Sequence, residues 1–277
     1  MSLGDVDRPA SDDLDAKIDE LARLLRQWAP VVVAFSGGAD SAFVAAVAHR
    51  TLGAGAARAV TAVSPSLAMT EHADCAALAK EWGLEWSCVE TDEMANAAYR
   101  TNDPDRCYHC KAELMSALSP VAAAAGEATV VLGVNVDDLS DHRPGQRAAR
   151  EAGARFPLVE AGFTKVEVRA ASRRLGLRTW DKPAAACLAS RVPHGTEVTV
   201  AVLGRIERAE AALRGLGVGG DLRVRHHGDS ARIEVDGAGL GVVMSRRDDV
   251  VAALRRIGFR YVTVDLEGFR SGSLNPR

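Results

Sequence analysis

Two periods alternate along the first two thirds of the chain. Leu14, Ile18, Leu21, Leu25 and Trp28 recur at helical spacing and predict an amphipathic helix over 12–28. The apolar run Val31-Val32-Val33-Ala34-Phe35 follows and reads as a buried parallel strand. Further strand-like runs lie at Ala59–Val63, Trp86–Val89 and Thr129–Leu132, with a shorter apolar piece at Phe156–Val159. Helical patterns fall between them, near 41–51, 71–82, 110–124 and 165–175. The last opens on a capping box, Thr164-x-x-Glu167, and stops at Gly176. Strands separated by helices predict an α/β fold with a doubly wound parallel sheet, whose ligands bind at the carboxyl ends of its strands. The loops expected there are Ser36–Ser41, Ser64–Ser66, the segment around Cys107, and Asn135–Arg143.

After Pro193-His194-Gly195 the pattern changes. A helix near 199–215 precedes two strands, Leu222–His226 and Ala231–Val235, around a hairpin-like turn at His227-Gly228-Asp229. A helix near 246–257 and a strand at Tyr261–Asp265 complete a small α+β domain. The expected division is a larger domain over 1–195 and a smaller one over 196–277.

The first loop carries the most specific chemistry. Strand, Gly37-Gly38 and helix aim free backbone N–H groups and a positive helix end at an anion. The glycines are expected to turn with positive φ and to let a phosphate approach the backbone, while Ser36 and Ser41 add hydroxyl donors. A bare phosphate would repel Asp40, which points to an intervening Mg²⁺. No Gly-Lys-Ser/Thr follows, so this is not a Walker A loop. Ser36-Gly37-Gly38-Ala39-Asp40-Ser41 instead resembles the loop of the PP-loop ATP pyrophosphatases, which cleave ATP between its α and β phosphates and adenylate a substrate.

Composition narrows the class. The 277 residues are 47% apolar and 26% charged, enough to fill a globular core. Lys plus Arg number 34 against 37 Asp plus Glu, a net charge of −3, which argues against a general nucleic-acid binder. The acidic start, Met1-Ser2-Leu3-Gly4-Asp5, lacks an apolar signal-peptide core, and no run reaches membrane-spanning length. A cytoplasmic protein with no membrane partner is expected.

In that compartment the five cysteines are not read as disulfides. Cys75 and Cys88 are expected to be buried thiols acting as small hydrophobes. Cys107 and Cys110 form a Cys-x-x-Cys pair open to three readings: a redox dithiol, half of a zinc site, or two ligands of an iron–sulfur cluster. His109 lies between them and is poorly placed to turn to the same metal. Small residues flank Cys187, and Arg191 four positions on offers charge for a phosphate or a thiolate.

Several segments together resemble the LarE family of ATP-dependent sulfur transferases, which make the nickel-pincer nucleotide of lactate racemase. They are Ala186-Cys187-Leu188-Ala189-Ser190-Arg191, Arg106-Cys107-Tyr108-His109-Cys110-Lys111, Gly133-Val134-Asn135-Val136-Asp137-Asp138, Arg143-Pro144-Gly145 and Arg223-Val224-Arg225-His226-His227-Gly228-Asp229. The resemblance runs from about residue 15 to 274. It implies a PP-loop ATP pyrophosphatase domain followed by a small substrate-binding and oligomerisation domain. The implied substrate is pyridinium biscarboxylic acid mononucleotide: a carboxylate is adenylated with release of pyrophosphate, and sulfur then replaces AMP. Cys187 matches the residue that supplies sulfur. Some members sacrifice that side chain; others, with a Cys-x-x-Cys pair, are thought to hold a 4Fe–4S cluster on three cysteines, which here would be Cys107, Cys110 and Cys187. The open corner of such a cluster would accept sulfide or another sulfur donor.

On this reading Ser36, Gly37, Gly38, Asp40 and Ser41 bind ATP and Mg²⁺, and Lys111, Arg191, Arg223 and Arg225 neutralise the substrate phosphate and carboxylates. Arg223 and Arg225 point to one face of a strand and would repel each other without an anion between them. Glu234 is a candidate ligand for a divalent metal. A ring-like homo-oligomer is implied, with a small nucleotide rather than nucleic acid as partner. A tRNA-thiolating PP-loop enzyme and an ammonia-using adenylating synthetase are the alternatives.

Overall fold

The computed structural model describes residues 11–139, 144–183, 187–270 and 273–274. Arg143 and Ala184–Ala186, parts of two of the motifs above, lie outside them. In chain order the elements are α1 (Ser11–Trp28), β1 (Val31–Ala34), α2 (Ala39–Leu52), β2 (Ala57–Val63), α3 (Met69–Trp82), β3 (Glu85–Glu90), α4 (Ala97–Thr101), α5 (Arg106–Ala124) and β4 (Thr129–Leu132). Then come α6 (Pro144–Glu151), α7 (Pro157–Glu160), α8 (Lys165–Arg174), α9 (Val200–Gly215), β5 (Leu222–His227), β6 (Ser230–Val235), α10 (Gly237–Ser245), α11 (Arg247–Ile257) and β7 (Tyr261–Val264). They group into two compact units that interleave in sequence, where the change of pattern suggested a single division after residue 195. The first takes residues up to Val63, Met69–Thr91 and Lys111–Ala184; the second takes Ser64–Ala68, Asp92–Cys110 and Ala185 onward.

The first unit is built on a parallel sheet of order β3-β2-β1-β4. The chain runs outward from β1 to β3 and returns to add β4 on the other side of β1. The switch in direction therefore lies between β1 and β4, where ligands of such sheets bind. Val31, Val32 and Val33 are all buried, because both faces of β1 are covered. Phe43 and Phe163 meet edge to face at 5.3 Å in the core that joins α1, α2 and α8. The capping box forms as the sequence predicts: the Glu167 backbone N–H donates to the Thr164 hydroxyl, and the Thr164 backbone N–H donates to the Glu167 carboxylate at 2.8 Å.

Two expectations fail here. Phe156–Val159 is not a strand. Pro157, at the first helical position, starts the one-turn helix α7, and Arg155 just before it bridges to the sheet beside Val131. Cys88 is exposed: it lies on the edge strand β3, where its sulfur is 3.4 Å from His72 Nε2 on α3. Cys75 is fully buried as expected, and burial pushes its thiol up to about 11.

In the second unit β5 and β6 form the antiparallel hairpin, turning at Gly228, and β7 pairs parallel to β6. The core of α9, α11 and these strands centres on Leu213, Val224, Ile233 and Leu254. The sequence pattern missed α10, whose Gly-Ala-Gly-Leu-Gly start hides its periodicity; Asp236 caps it by accepting the Gly239 N–H at 2.7 Å. A second cluster packs Tyr99 against Leu188, Val198, Leu203 and Ile206.

Candidate functional site

In the first unit the Ser36–Ser41 loop follows β1 directly and leads into α2. Gly37 has φ +68°, and a Cβ there would sit 2.9 Å from Cys75 Sγ, so glycine is required. Gly38 differs from expectation: at φ −74° it is an ordinary extended N-cap with no side-chain cap bond, so one glycine makes the turn. The loop hydroxyls are drawn together, Ser36 Oγ and Ser41 Oγ lying 3.0 Å apart, and Ser41 Oγ also accepts the Ser36 N–H at 3.2 Å.

The loop after β4 closes on it. A Cβ on Gly133 would lie 2.6 Å from Ser41 N, so the two backbones pass at a distance no other residue permits. Beyond Gly133, Asn135 is buried and donates from Nδ2 to Asp40 Oδ1 at 3.3 Å, while its own Oδ1 accepts the Asp137 N–H at 3.0 Å. Lys165, at the start of α8, places its ammonium 2.5 Å from Asp40 Oδ2. Its backbone N–H donates to Asp137 Oδ2 at 2.7 Å. On α3, Glu71 and Asp74 grip the Lys182 ammonium at 2.8 and 2.7 Å, and that ammonium also donates to the Gly37 carbonyl at 3.1 Å. Burial alone would lower Lys182, but the two carboxylates raise it above the ordinary lysine value.

A glycine turn, an uncapped helix start, two hydroxyls and a carboxylate at the switch point fit a polyphosphate with its divalent cation. Asp40 and the Asn135–Asp138 segment are the groups that would hold that cation.

In the second unit the cysteine segments are tied by Arg106 and Asn102. The Arg106 guanidinium is buried and donates to Asn102 Oδ1 at 2.5 Å and to the Ala189 carbonyl, two residues after Cys187, at 2.8 Å; its Nη2 lies 3.9 Å from Cys107 Sγ. Asn102 takes a left-handed conformation at φ +62° and donates to the carbonyls of Val192, Pro193 and Thr196. Burial works against the Arg106 charge, but the fields of Cys187 and Cys107 more than offset it and raise Arg106 above the usual range. Cys107 and Cys187 are exposed and Cys110 is half-buried. These three share one neighbourhood, yet among the described residues no three side chains are gathered as metal ligands. His109 turns away to Asp105, 3.5 Å distant.

The arginines expected to bind substrate already have protein partners. Arg191 is buried, meets both oxygens of Glu210 at 3.0 and 3.2 Å, and donates to the Cys187 carbonyl at 3.1 Å. Arg225 holds Glu234 at 2.7 and 2.9 Å and also donates to the Ser190 carbonyl. The anion required by two adjacent guanidinium groups is thus supplied in part by the fold itself. Glu234 is fully buried and is taken up by Arg225, Arg232 and Ser273, which corrects its reading as a metal ligand. Arg223 donates to the Leu222 carbonyl and lies over the Phe269 ring at 4.9 Å. Burial, then the Arg191 charge, pushes it down to about 10, against the pull of Glu210. Lys111 is half-buried on α5 and forms no ion pair among the described residues.

Sequence reasoning missed Lys165, Lys182 and Glu210. Lys165 had a signal in the capping box, which fixes where its helix starts, but nothing local tells that the start faces residue 40.

Residues 20–117 match the family model for NAD synthase. An uncharacterised protein of Synechocystis sp. is 46% identical over 264 residues, 95% of this chain and 98% of that one. An uncharacterised protein of Methanocaldococcus jannaschii is 26% identical over 241 residues, 87% of this chain and 91% of its own. The pyridinium-3,5-bisthiocarboxylic acid mononucleotide synthase of Lactiplantibacillus plantarum is 40% identical over 262 residues, 95% of each chain. Identity at that level over almost the whole of both sequences means common descent and a common fold, so the chain belongs to the pyridinium-3,5-bisthiocarboxylic acid mononucleotide synthase family, the LarE proteins.

Proposed function

We propose that this protein is an ATP-dependent sulfur transferase that adenylates a carboxylate of pyridinium biscarboxylic acid mononucleotide and replaces AMP with sulfur. The observation that carries this reading is the near-complete match to the Lactiplantibacillus plantarum synthase. The loop geometry supports the ATP half: Gly37, the α2 start and the hydroxyls of Ser36 and Ser41 accept the phosphates, and Asp40 with Asn135 orients Mg²⁺. Metal charge on the pyrophosphate makes it a better leaving group. The family relation favours sulfur over ammonia as the second nucleophile, and the net charge of −3 disfavours tRNA.

For the sulfur half, Cys107, Cys110 and Cys187 would hold a 4Fe–4S cluster whose open corner would accept sulfide as the sulfur that replaces AMP. Support comes from the donor set, three thiols in one neighbourhood, and from Arg106, which offsets thiolate charge beside two of them. Arg223, Arg225, Arg191 and Lys111 bind the mononucleotide through its phosphate and carboxylates. The segment from 196 onward binds substrate and assembles the protein as a homo-oligomer in the cytoplasm; no helix among the described residues is long and apolar enough to cross a membrane.

The test is turnover by anaerobic protein supplied with ATP, sulfide and the mononucleotide, with iron content and intact mass read alongside. More than one pyrophosphate per chain, iron present and Cys187 at full mass are expected. A single turnover, with Cys187 lighter by roughly 34 Da through loss of H₂S and with Cys107→Ala and Cys110→Ala unimpaired, would overturn the cluster. No thiocarboxylate from active, ATP-consuming protein would overturn the substrate.

A further inference from the structure

One accessible thiol plays no part in the chemistry above. Cys88 lies on β3, at the edge of the parallel sheet, and is exposed. Its sulfur faces His72 on α3, 3.4 Å from Nε2. Both elements belong to the first unit. Cys75, on the same helix, makes the contrast: it is fully buried, so no ligand arriving from solvent meets it.

The pair is supported from within. The His72 ring packs against Trp86 with centroids 6.0 Å apart. The Trp86 indole N–H donates to the Thr61 hydroxyl at 2.9 Å, and that hydroxyl donates to the Phe35 carbonyl at 2.7 Å. Trp86 and Cys88 are two residues apart and share the face of β3 that meets α3. By the same alternation Glu90, which is exposed, falls on that face.

An imidazole, a thiolate and a carboxylate are donors that Zn²⁺ accepts, and the spacing says more than the composition. Zn–S and Zn–N bonds of about 2.3 and 2.0 Å at a tetrahedral angle set sulfur and nitrogen about 3.5 Å apart. Cys88 and His72 already stand at that separation. Donors on opposite sides of one ion would lie about 4.3 Å apart, so a linear two-coordinate centre does not fit.

We propose that His72, Cys88 and Glu90 form a metal site of their own, which takes a borderline-soft divalent cation of the Zn²⁺ kind with water in the fourth position. As the S–Zn bond forms, the thiol proton leaves to solvent and no electron is transferred. The bound ion clips α3 to the last strand of the sheet, and so ties down the helix whose Glu71 and Asp74 hold Lys182. The site is independent of the proposed activity, and either stands if the other falls.

The experiment reads Cys88 itself, because Cys107, Cys110 and Cys187 are thiols that zinc also binds. Whole reduced protein is alkylated with iodoacetamide at rising Zn²⁺, and labelling is followed peptide by peptide by mass spectrometry. Zinc is expected to slow labelling of Cys88 about tenfold or more. Half-protection of Cys88 should need about tenfold more zinc in His72→Gln and about threefold more in Glu90→Gln, with Cys107 and Cys110 protected as in the parent. Co²⁺ in place of zinc should give a thiolate-to-metal absorption, part of which disappears in Cys88→Ser. A thiol–imidazole hydrogen bond alone predicts that zinc leaves Cys88 labelling unchanged. If His72→Gln fails to fold, the zinc response of the parent and the cobalt comparison decide alone. Labelling of Cys88 unaffected by zinc, parental protection in His72→Gln, or a cobalt spectrum unchanged in Cys88→Ser overturns the site. Parental protection in Glu90→Gln removes the carboxylate from it.

Discussion

The anion-binding loop of the first unit and the arginine cluster of the second solve opposite problems. The loop is made chiefly of backbone: a left-handed glycine, a helix start and a second strand end that passes within one Cβ of it. Its charges, Asp40 and Lys165, are partly exposed and paired with each other. The cluster is made of side chains. Arg191, Arg223 and Arg225 are buried, and Glu210 and Glu234 are locked between them by short, two-armed contacts. In stability, a site built from backbone tolerates changes of charge and fails on changes of shape; one built from buried charges does the reverse.

The largest effect that would sharpen this contrast is expected at Glu234. Glu234→Gln keeps the shape and strands Arg225 and Arg232 without their shared counter-charge, and should cost about 3–5 kcal/mol in urea unfolding. A loss below about 1 kcal/mol would mean that water, not Glu234, satisfies the cluster. Asp40→Asn comes next. Pyrophosphate release from ATP should fall by about two to three orders of magnitude with the melting temperature nearly unchanged, which a pyrophosphate assay and calorimetry check together. Gly133→Ala tests shape: one methyl against the Ser41 N–H should destabilise by about 1–3 kcal/mol and weaken ATP binding, although no charge has changed. Unaltered ATP affinity in that variant would break the comparison outright.

The smallest effect concerns pH. Burial, then the Arg205 charge, lowers the buried His226 imidazole below its ordinary 6.5, and neither ring nitrogen has a hydrogen-bond partner among the described residues. On acidification the unfolded chain therefore takes up this proton before the folded one does. The contribution is complete above about pH 6.5 and is lost as pH falls from there toward the folded value. Thermal melts at two pH values should show a smaller acid sensitivity in His226→Phe. An unchanged difference would assign the acid response to other groups, such as His227, which is lowered for the same first reason, burial.

The fold was legible wherever local chemistry is sufficient. The valine run of β1, the glycine turn after it and the Thr164 capping box each act within a few residues, and each appears where the pattern places it. Cys88 was misread because alternation cannot say which strand lies at a sheet edge. The start of α7 was misread because four apolar residues serve a strand or a helical turn equally well, and Pro157 decides. Site residues divided along the same line. The loop's own members are contiguous. Lys165 reaches Asp40 across 125 positions and Arg191 reaches Glu210 across 19, so their partners exist only in three dimensions.

The interleaving of the two units has a consequence for synthesis. Tyr99 and Asn102 emerge early, but the groups that cover and tie them, Leu188, Val192, Val198, Leu203 and Ile206, lie about a hundred residues later. Until those have left the ribosome, Arg106 and the turn that bears Cys107 have no carbonyl of Ala189 to hold. The first sheet, whose strands are all complete by Leu132, is able to form well before that moment. The nascent chain is therefore able to pair the strands of the first sheet while Cys107 and Cys110 still lack the ties that later segments bring.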